Sequence, residues 1–299
     1  MIEYDEFSMF QENAEEFGIP YKQPLVSREA VDLGDGRRLS CLAWGAGPAE
    51  LVFLHGGAQN AHTWDTVLLA LDRPALAVDL PGHGHSDGGR AGSLEPFDMA
   101  ADVAVAVERL APEAVAVVGM SLGGLTSLAL AGLRPELVRK LVLVDVTPGV
   151  NQEKSRAISE FVNGPATFPD FDALLARTVE HNPTRSVSSL RRGILHNAVQ
   201  LEDGTWVWRW ARHRGGPFDP KARLQSFGTL WDTMSGLNVP LMLVRGMRPG
   251  SVVDDADESE VLRRQPSARV EHVADAGHSV QGDAPLELAA LIADFALGG

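Results

Sequence analysis

The sequence has almost no cysteine. Of its 299 residues only Cys41 carries a thiol, so no intrachain disulfide can form and a reducing compartment is permitted. Cys41 sits in an alternating segment and reads as a small packed residue. Positive charge is also short: 26 Lys and Arg stand against 40 Asp and Glu, a formal net charge of -14. That balance argues against nucleic acid or an anionic membrane as a partner, since both select basic surfaces. The acidity is read as a solubility feature. No run approaches the roughly 20 apolar residues of a membrane span. Residues 1–23 are acidic and polar with no apolar signal core, so a cytoplasmic location is expected. H-E-x-x-H, G-x-x-x-x-G-K-[ST] and the dinucleotide glycine fingerprint are all missing. Neither a metal nor a cofactor is therefore expected. There is no internal repeat and no low-complexity segment.

What is present is an alternation of short apolar runs and helical patterns. Residues 1–24 form an extension with a short helix within Glu3 to Phe17, ended by Gly18 and Pro20. Arg28 to Leu33 and Arg38 to Trp44 flank the hairpin turn Gly34-Asp35-Gly36. Buried strands follow at Leu51–Leu54, Ala75–Asp79, Ala114–Val118 and Val138–Val144. Helical patterns at Ala61–Leu71, Glu95–Leu110 and Leu122–Leu133 lie between them. Continuous apolar strands between helices indicate βαβ units and a mostly parallel sheet covered on both faces. The rhythm breaks from Pro148 to about Leu237, a polar, largely helical stretch with Trp206, Trp208, Trp210 and Trp231 and no convincing buried strand. It resumes with a strand at Val239–Arg245, a helix around Glu258–Arg264, a strand at Arg269–Val273 and a helix at Leu286–Leu297. The expected division is an extension at 1–24, a core at 25–147 and 238–299, and a helical cap at 148–237.

The chemistry concentrates in Gly119-Met120-Ser121-Leu122-Gly123, a G-x-S-x-G between a strand and a helix. A serine nucleophile is best exposed on such a turn, with small flanking residues that let the backbone pass closely. The helix start then offers free N–H groups and positive dipole to a developing oxyanion. Ser121 is the candidate nucleophile; as a plain helix N-cap it would not need both glycines.

Together with Ser121, three other motifs resemble the α/β-hydrolase superfamily in order and spacing over roughly residues 28–297. They are His55-Gly56-Gly57 after one strand, Asp79-Leu80-Pro81-Gly82-His83-Gly84-His85-Ser86 after the next, and Gly277-His278 near the end. The resemblance implies an eight-stranded, mostly parallel sheet with a helical lid after the sixth strand. Serine at position 121 places it in the serine-nucleophile branch, apart from haloalkane dehalogenases and epoxide hydrolases, which use aspartate there.

The resemblance implies His278 as the base, in the chain order Ser, acid, His. It implies an oxyanion hole from the backbone N–H groups of Leu122 and Gly57, with Ala58 as an alternative. The family's usual acid position, just after the seventh strand, is empty here: Pro249 occupies it. Asp145, at the end of the sixth strand, is the favoured acid, with Asp254 (or its neighbour Asp255) second and an acid-free dyad third. Asp254 to Glu260 also reads as an acidic helix start, and Asp145 as a loop cap. His55, His83 and His85 read as loop-bonding histidines. His62, Ala58, Met120, Trp206 and Trp210 are candidate pocket residues, although His62 also reads as structural and the tryptophans as lid packing. Arg191, Arg192, Arg209, Arg212 and Arg214 would attract a carboxylate-bearing substrate if they faced it. The expected activity is a serine hydrolase acting on an ester, thioester or lactone of a small organic molecule. The alternatives are a carbon–carbon bond hydrolase or haloperoxidase-like enzyme of this fold, and a non-catalytic small-molecule binder.

Overall fold

The computed structural model describes residues 4–150, 153–213 and 228–298. Eleven strands run in chain order among them. Eight form one sheet: β1 (Val26–Asp32), β2 (Arg38–Trp44), β3 (Leu51–Leu54), β4 (Ala75–Val78), β5 (Ala116–Met120), β6 (Leu141–Val144), β10 (Leu241–Gly246) and β11 (Arg269–Val273). Their order across the sheet is β1-β2-β4-β3-β5-β6-β10-β11. β1 pairs antiparallel with β2, and β2 with β4; every other pairing is parallel.

The apolar runs explain this arrangement. Every residue of β3, β4, β5 and β6 is buried, so these strands need cover on both faces. On one face Val52, Leu54, Val117 and Leu143 meet helices α3 (Pro96–Leu110) and α4 (Leu122–Leu133) through Val103, Val107 and Leu128. On the other, Phe53, Val118, Val142 and Val144 meet Trp64, Leu68, Leu288 and Ile292. Each such side chain withdrawn from water contributes about 1.5–3 kcal/mol. The β1–β2 hairpin closes through Gly34 and Gly36, both at positive φ (80° and 86°), where a side chain would be strained.

Residues 4–24 are more than an appendage. Helix α1 (Phe10–Phe17) ends at Gly18 in the left-handed conformation, φ 67°. Its Phe10 is 1% exposed and packs on Trp44 with ring centroids 4.9 Å apart.

The segment between β6 and β10 holds α5 (Arg156–Val162), α6 (Phe171–His181), α7 (Val187–Asn197) and three strands that the sequence reading did not expect: β7 (Thr167–Phe168), β8 (Ala198–Gln200) and β9 (Trp206–Trp208). They form a small antiparallel sheet in the order β7-β9-β8. At two or three residues each, they are too short to show alternation. Asp203-Gly204 is the signal that was available: Gly204 has φ 88° and the Leu201 amide donates to the Thr205 carbonyl at 2.8 Å, a hairpin turn. This sheet and its helices bury a separate cluster of Phe168, Leu174, Ile194, Leu195, Trp206, Trp208 and Trp210.

Candidate active site

The loops at the carboxyl ends of the parallel strands converge at one edge of the sheet, where ligands bind in open α/β architectures. β5 runs past its expected end at Val118. It pairs with β6 as far as Met120, opposite Val144. Ser121 then turns the chain at φ 51°, ψ -120°, and α4 starts at Leu122. This left-handed backbone costs a non-glycine residue of order 1–3 kcal/mol and is tolerated only where the surroundings enforce it.

The glycines show what enforces it. A Cβ at Gly119 would sit 2.3 Å from Ser127 Oγ and 2.4 Å from the Gly123 carbonyl oxygen. One at Gly123 would sit 2.2 Å from the Leu54 carbonyl oxygen, and one at Gly124 2.4 Å from a Val146 methyl. The first turn of α4 therefore lies directly on the end of β3. That approach puts the Leu122 side chain within 3.8 Å of where a Gly57 Cβ would stand. The amides of Gly57 and Leu122 donate to no protein acceptor among the described residues.

Asp145 follows β6 at φ 46° and is 0% exposed. Its Oδ2 accepts from His278 Nδ1 at 2.9 Å and from the Val252 amide at 3.0 Å. Its Oδ1 accepts from the Gly246 amide at 3.0 Å and from Ser251 Oγ at 2.6 Å. The carboxylate can only accept, so His278 carries its proton on Nδ1 and leaves Nε2 as the basic nitrogen. The β10–Val253 loop, which lacks an acid, supplies three donors to an acid from the neighbouring strand. Sequence reasoning did not find Ser251 or the Gly246 and Val252 amides; a serine in a loop that has lost its carboxylate was the signal. Gly246 is required as well, because its Cβ would lie 2.2 Å from the Gly277 carbonyl oxygen.

Asp254 is not brought to the histidine. It caps the helix Asp255–Arg264, accepting from the Asp257 amide at 2.9 Å within a reciprocal capping box, and meets Lys154 Nζ at 2.6 Å. Asp255 instead pairs with Arg245 at 2.7 Å.

Ser121, His278, Gly57, Ala58, Met120 and Leu122 line one cavity of about 870 Å³. The segment between β6 and β10 adds Ile158, Phe161, Val162, His181 and Trp210 to its wall. Trp206 does not reach this cavity; it packs on Phe171 with centroids 5.2 Å apart. Ala58, at φ 61°, is held to that segment by Asn197 Nδ2, which donates to its carbonyl at 2.6 Å.

Three histidines of the loops after β3 and β4 make contacts apart from Ser121. His55 donates from Nδ1 to the Gly56 carbonyl at 2.7 Å and accepts at Nε2 from the Leu80 amide at 2.9 Å. Burial holds its pKa below the ordinary value. His83 donates to the Pro81 carbonyl at 3.0 Å. The His85 side chain turns instead toward Glu6, 3.9 Å away. His62 does not line the Ser121 cavity. It bridges Asp65 Oδ2 at 2.9 Å and Glu6 Oε1 at 3.0 Å. Burial opposes its protonation, but the two carboxylates prevail and push its pKa up to about 9.

His62, Asp65 and His196 bring possible metal-ligand atoms within 4.8 Å of one another. The two imidazoles, however, are stacked 3.7 Å apart at 12°. A cation ligated by both would have to lie in both ring planes, which rings this nearly parallel do not permit. The cluster is an ion-paired stack. Of the arginines, Arg192 is buried in bonds to Asn13, Ser188 and Glu16, and Arg191 is exposed. Arg214 and the Arg212 side chain lie outside the described residues.

Residues 50–285 match the family model described as "alpha/beta hydrolase fold". The chain belongs to the alpha/beta hydrolase fold family. It is 43% identical over 295 residues to esterase Rv0045c of Mycobacterium tuberculosis, covering 96% of this chain and 94% of that one. A refined structure of that esterase, studied for its transition-metal inhibition, superposes with a TM-score of 0.85 at 42% identity and 99% coverage of both chains. A 3-hydroxybutyrate-oligomer hydrolase of Cupriavidus necator is 28% identical, with 84% of this chain and 90% of that one covered. Among the described residues, no helix is long and apolar enough to cross a membrane.

Proposed function

We propose that this protein is a serine hydrolase that cleaves a carboxylic ester, thioester or lactone of a small organic molecule through an acyl-enzyme on Ser121. The observation that carries the reading is the 2.9 Å bond between His278 Nδ1 and the buried Asp145 carboxylate, in the cavity that Ser121 also lines. The esterase name of the 43% identical relative supports it.

His278 Nε2 takes the Ser121 hydroxyl proton as Oγ bonds to the ester carbonyl carbon. The Gly57 and Leu122 amides receive the negative charge that develops on the carbonyl oxygen; one such donor is worth about 10²–10³ in turnover. The imidazolium then passes its proton to the leaving alkoxide as the carbon–oxygen bond breaks. Water attacks the acyl-enzyme, His278 takes its proton, and Ser121 regains it as the acid departs. Asp145 holds the imidazole tautomer and balances the imidazolium without being protonated.

In this reading residues 148–237 act as a cap that shapes the acyl pocket through Ile158, Phe161 and Trp210. The non-catalytic reading rests on the missing acid at the usual position, and the bond between His278 and the buried Asp145 carboxylate weighs against it.

The test is turnover of short-chain p-nitrophenyl esters by the wild type and Ser121→Ala. Loss of about 10⁴-fold or more in kcat is expected for the variant. Equal turnover by both proteins would overturn the reading, and inert esters with active vinylogous diketones would favour carbon–carbon hydrolysis instead.

A further inference from the structure

The Ser121 cavity contains a cation that ester chemistry alone does not use. Arg185 lies between α6 and α7, where its amide donates to the Asn182 carbonyl at 3.2 Å. Its guanidinium crosses Gly282, where a Cβ would sit 2.7 Å from Nη1. Arg185, His278 and Ser279 all line the same cavity.

A guanidinium has five N–H donors and no acceptor. Here Nη2 is bonded to Ser189 Oγ, while Nε is shielded from solvent and has no hydrogen-bond partner. The nearby carboxylates Glu16 and Asp283 act on Arg185 through space, but their hydrogen bonds go elsewhere. Glu16 bonds Arg192 and Ser186. Asp283 Oδ2 accepts from the Gly277 amide at 2.9 Å. The other guanidinium lining the cavity among the described residues, Arg248, already pairs with Asp275 at 2.8 Å.

Arg185 makes no direct ion pair among the described residues, and part of the cost of shielding its charge is recovered when an anion binds it. A planar fork of donors matches a carboxylate in a bidentate pair. Asp283 and Glu95 also line the cavity, so one negative charge is accommodated better than two.

We propose that Arg185 binds a carboxylate on the substrate, and that the preferred substrates are half-esters of short dicarboxylic acids. This rests on the serine-hydrolase reading above and adds the substrate class. Arg185 was not among the arginines singled out in the sequence, because a loop arginine there carries no motif.

The test compares the monomethyl esters of succinate, glutarate and adipate with neutral methyl esters of matched length. Wild type, Arg185→Met and Arg185→Lys are assayed for kcat/KM. Wild type is expected to favour one half-ester by about ten- to a hundredfold, the usual worth of a charge-assisted pair. Arg185→Met should erase that preference and leave the neutral esters within about threefold, the scatter expected for a residue outside the reacting atoms. Arg185→Lys should keep part of it. Calorimetry of the same half-esters on Ser121→Ala, with and without Arg185→Met, reads binding apart from turnover. Equal wild-type rates on charged and neutral esters, or equal loss on both in Arg185→Met, would overturn the proposal. If no ester is turned over but Ser121→Ala still binds a half-ester through Arg185, the hydrolase reading fails and the Arg185 site stands.

Discussion

At the scale of single residues, the central question in the sequence is the acid, and the carboxylate that meets His278 lies 133 residues from it. Asp145 was legible as a candidate because it ends a buried strand. The choice between it and Asp254 was not, because it depends on how β6 and β10 sit side by side. Once they do, four donors converge on one carboxylate. Asp145→Asn should lower kcat about 10³–10⁴-fold by favouring the wrong imidazole tautomer, with little loss of fold. Asp254→Ala should leave kcat within about twofold and cost about 1 kcal/mol of stability through the lost helix cap. Steady-state kinetics and denaturant unfolding of the two variants check both outcomes. Ser251→Ala removes one of the donors while the two amides remain. It should lower kcat about tenfold with KM nearly unchanged, the pattern of a group that positions the histidine.

At the scale of elements, the strands were legible where apolar runs are bounded by turn residues. Leu51–Leu54 and Arg269–Val273 match their sequence-based limits. β5 runs to Met120 rather than Val118, because pairing with β6 holds the backbone extended through Gly119. Propensity at a glycine gave no sign of that. The short strands of the inserted segment were missed for the opposite reason: neighbours impose the extended shape on two or three residues. The elbow depends on close approach between elements. Gly123→Ala would push a methyl toward the Leu54 carbonyl oxygen, 2.2 Å from the ideal Cβ position. It should cost about 1–3 kcal/mol in urea unfolding and displace the Leu122 amide, so activity should fall further than stability alone explains.

At the scale of the whole molecule, the N-terminal segment joins the sheet core to the inserted segment, a role that its polar sequence did not disclose. Glu6 meets Arg28 and His62 of the core, and Glu16 meets Arg192 and Ser186 of the inserted segment. Burial works against the Glu6 charge, yet His62 and Arg28 draw its carboxyl down to about 2. The His62 pKa, raised to about 9 from an ordinary 6.5, makes the pairing pH-dependent. Its stabilisation is present in full below pH 6.5 and is lost as pH rises through about 9. The melting temperature of the wild type relative to His62→Gln should therefore decline across that window; a constant difference would contradict the assignment.

The most direct measurement of the central claim is covalent. The protein is treated with a serine-reactive fluorophosphonate, digested and mapped by mass spectrometry. One adduct on the peptide carrying Ser121, absent from Ser121→Ala and slowed in Asp145→Asn, is the predicted result. An unlabelled Ser121, or an adduct on another residue that survives Ser121→Ala, would contradict the account.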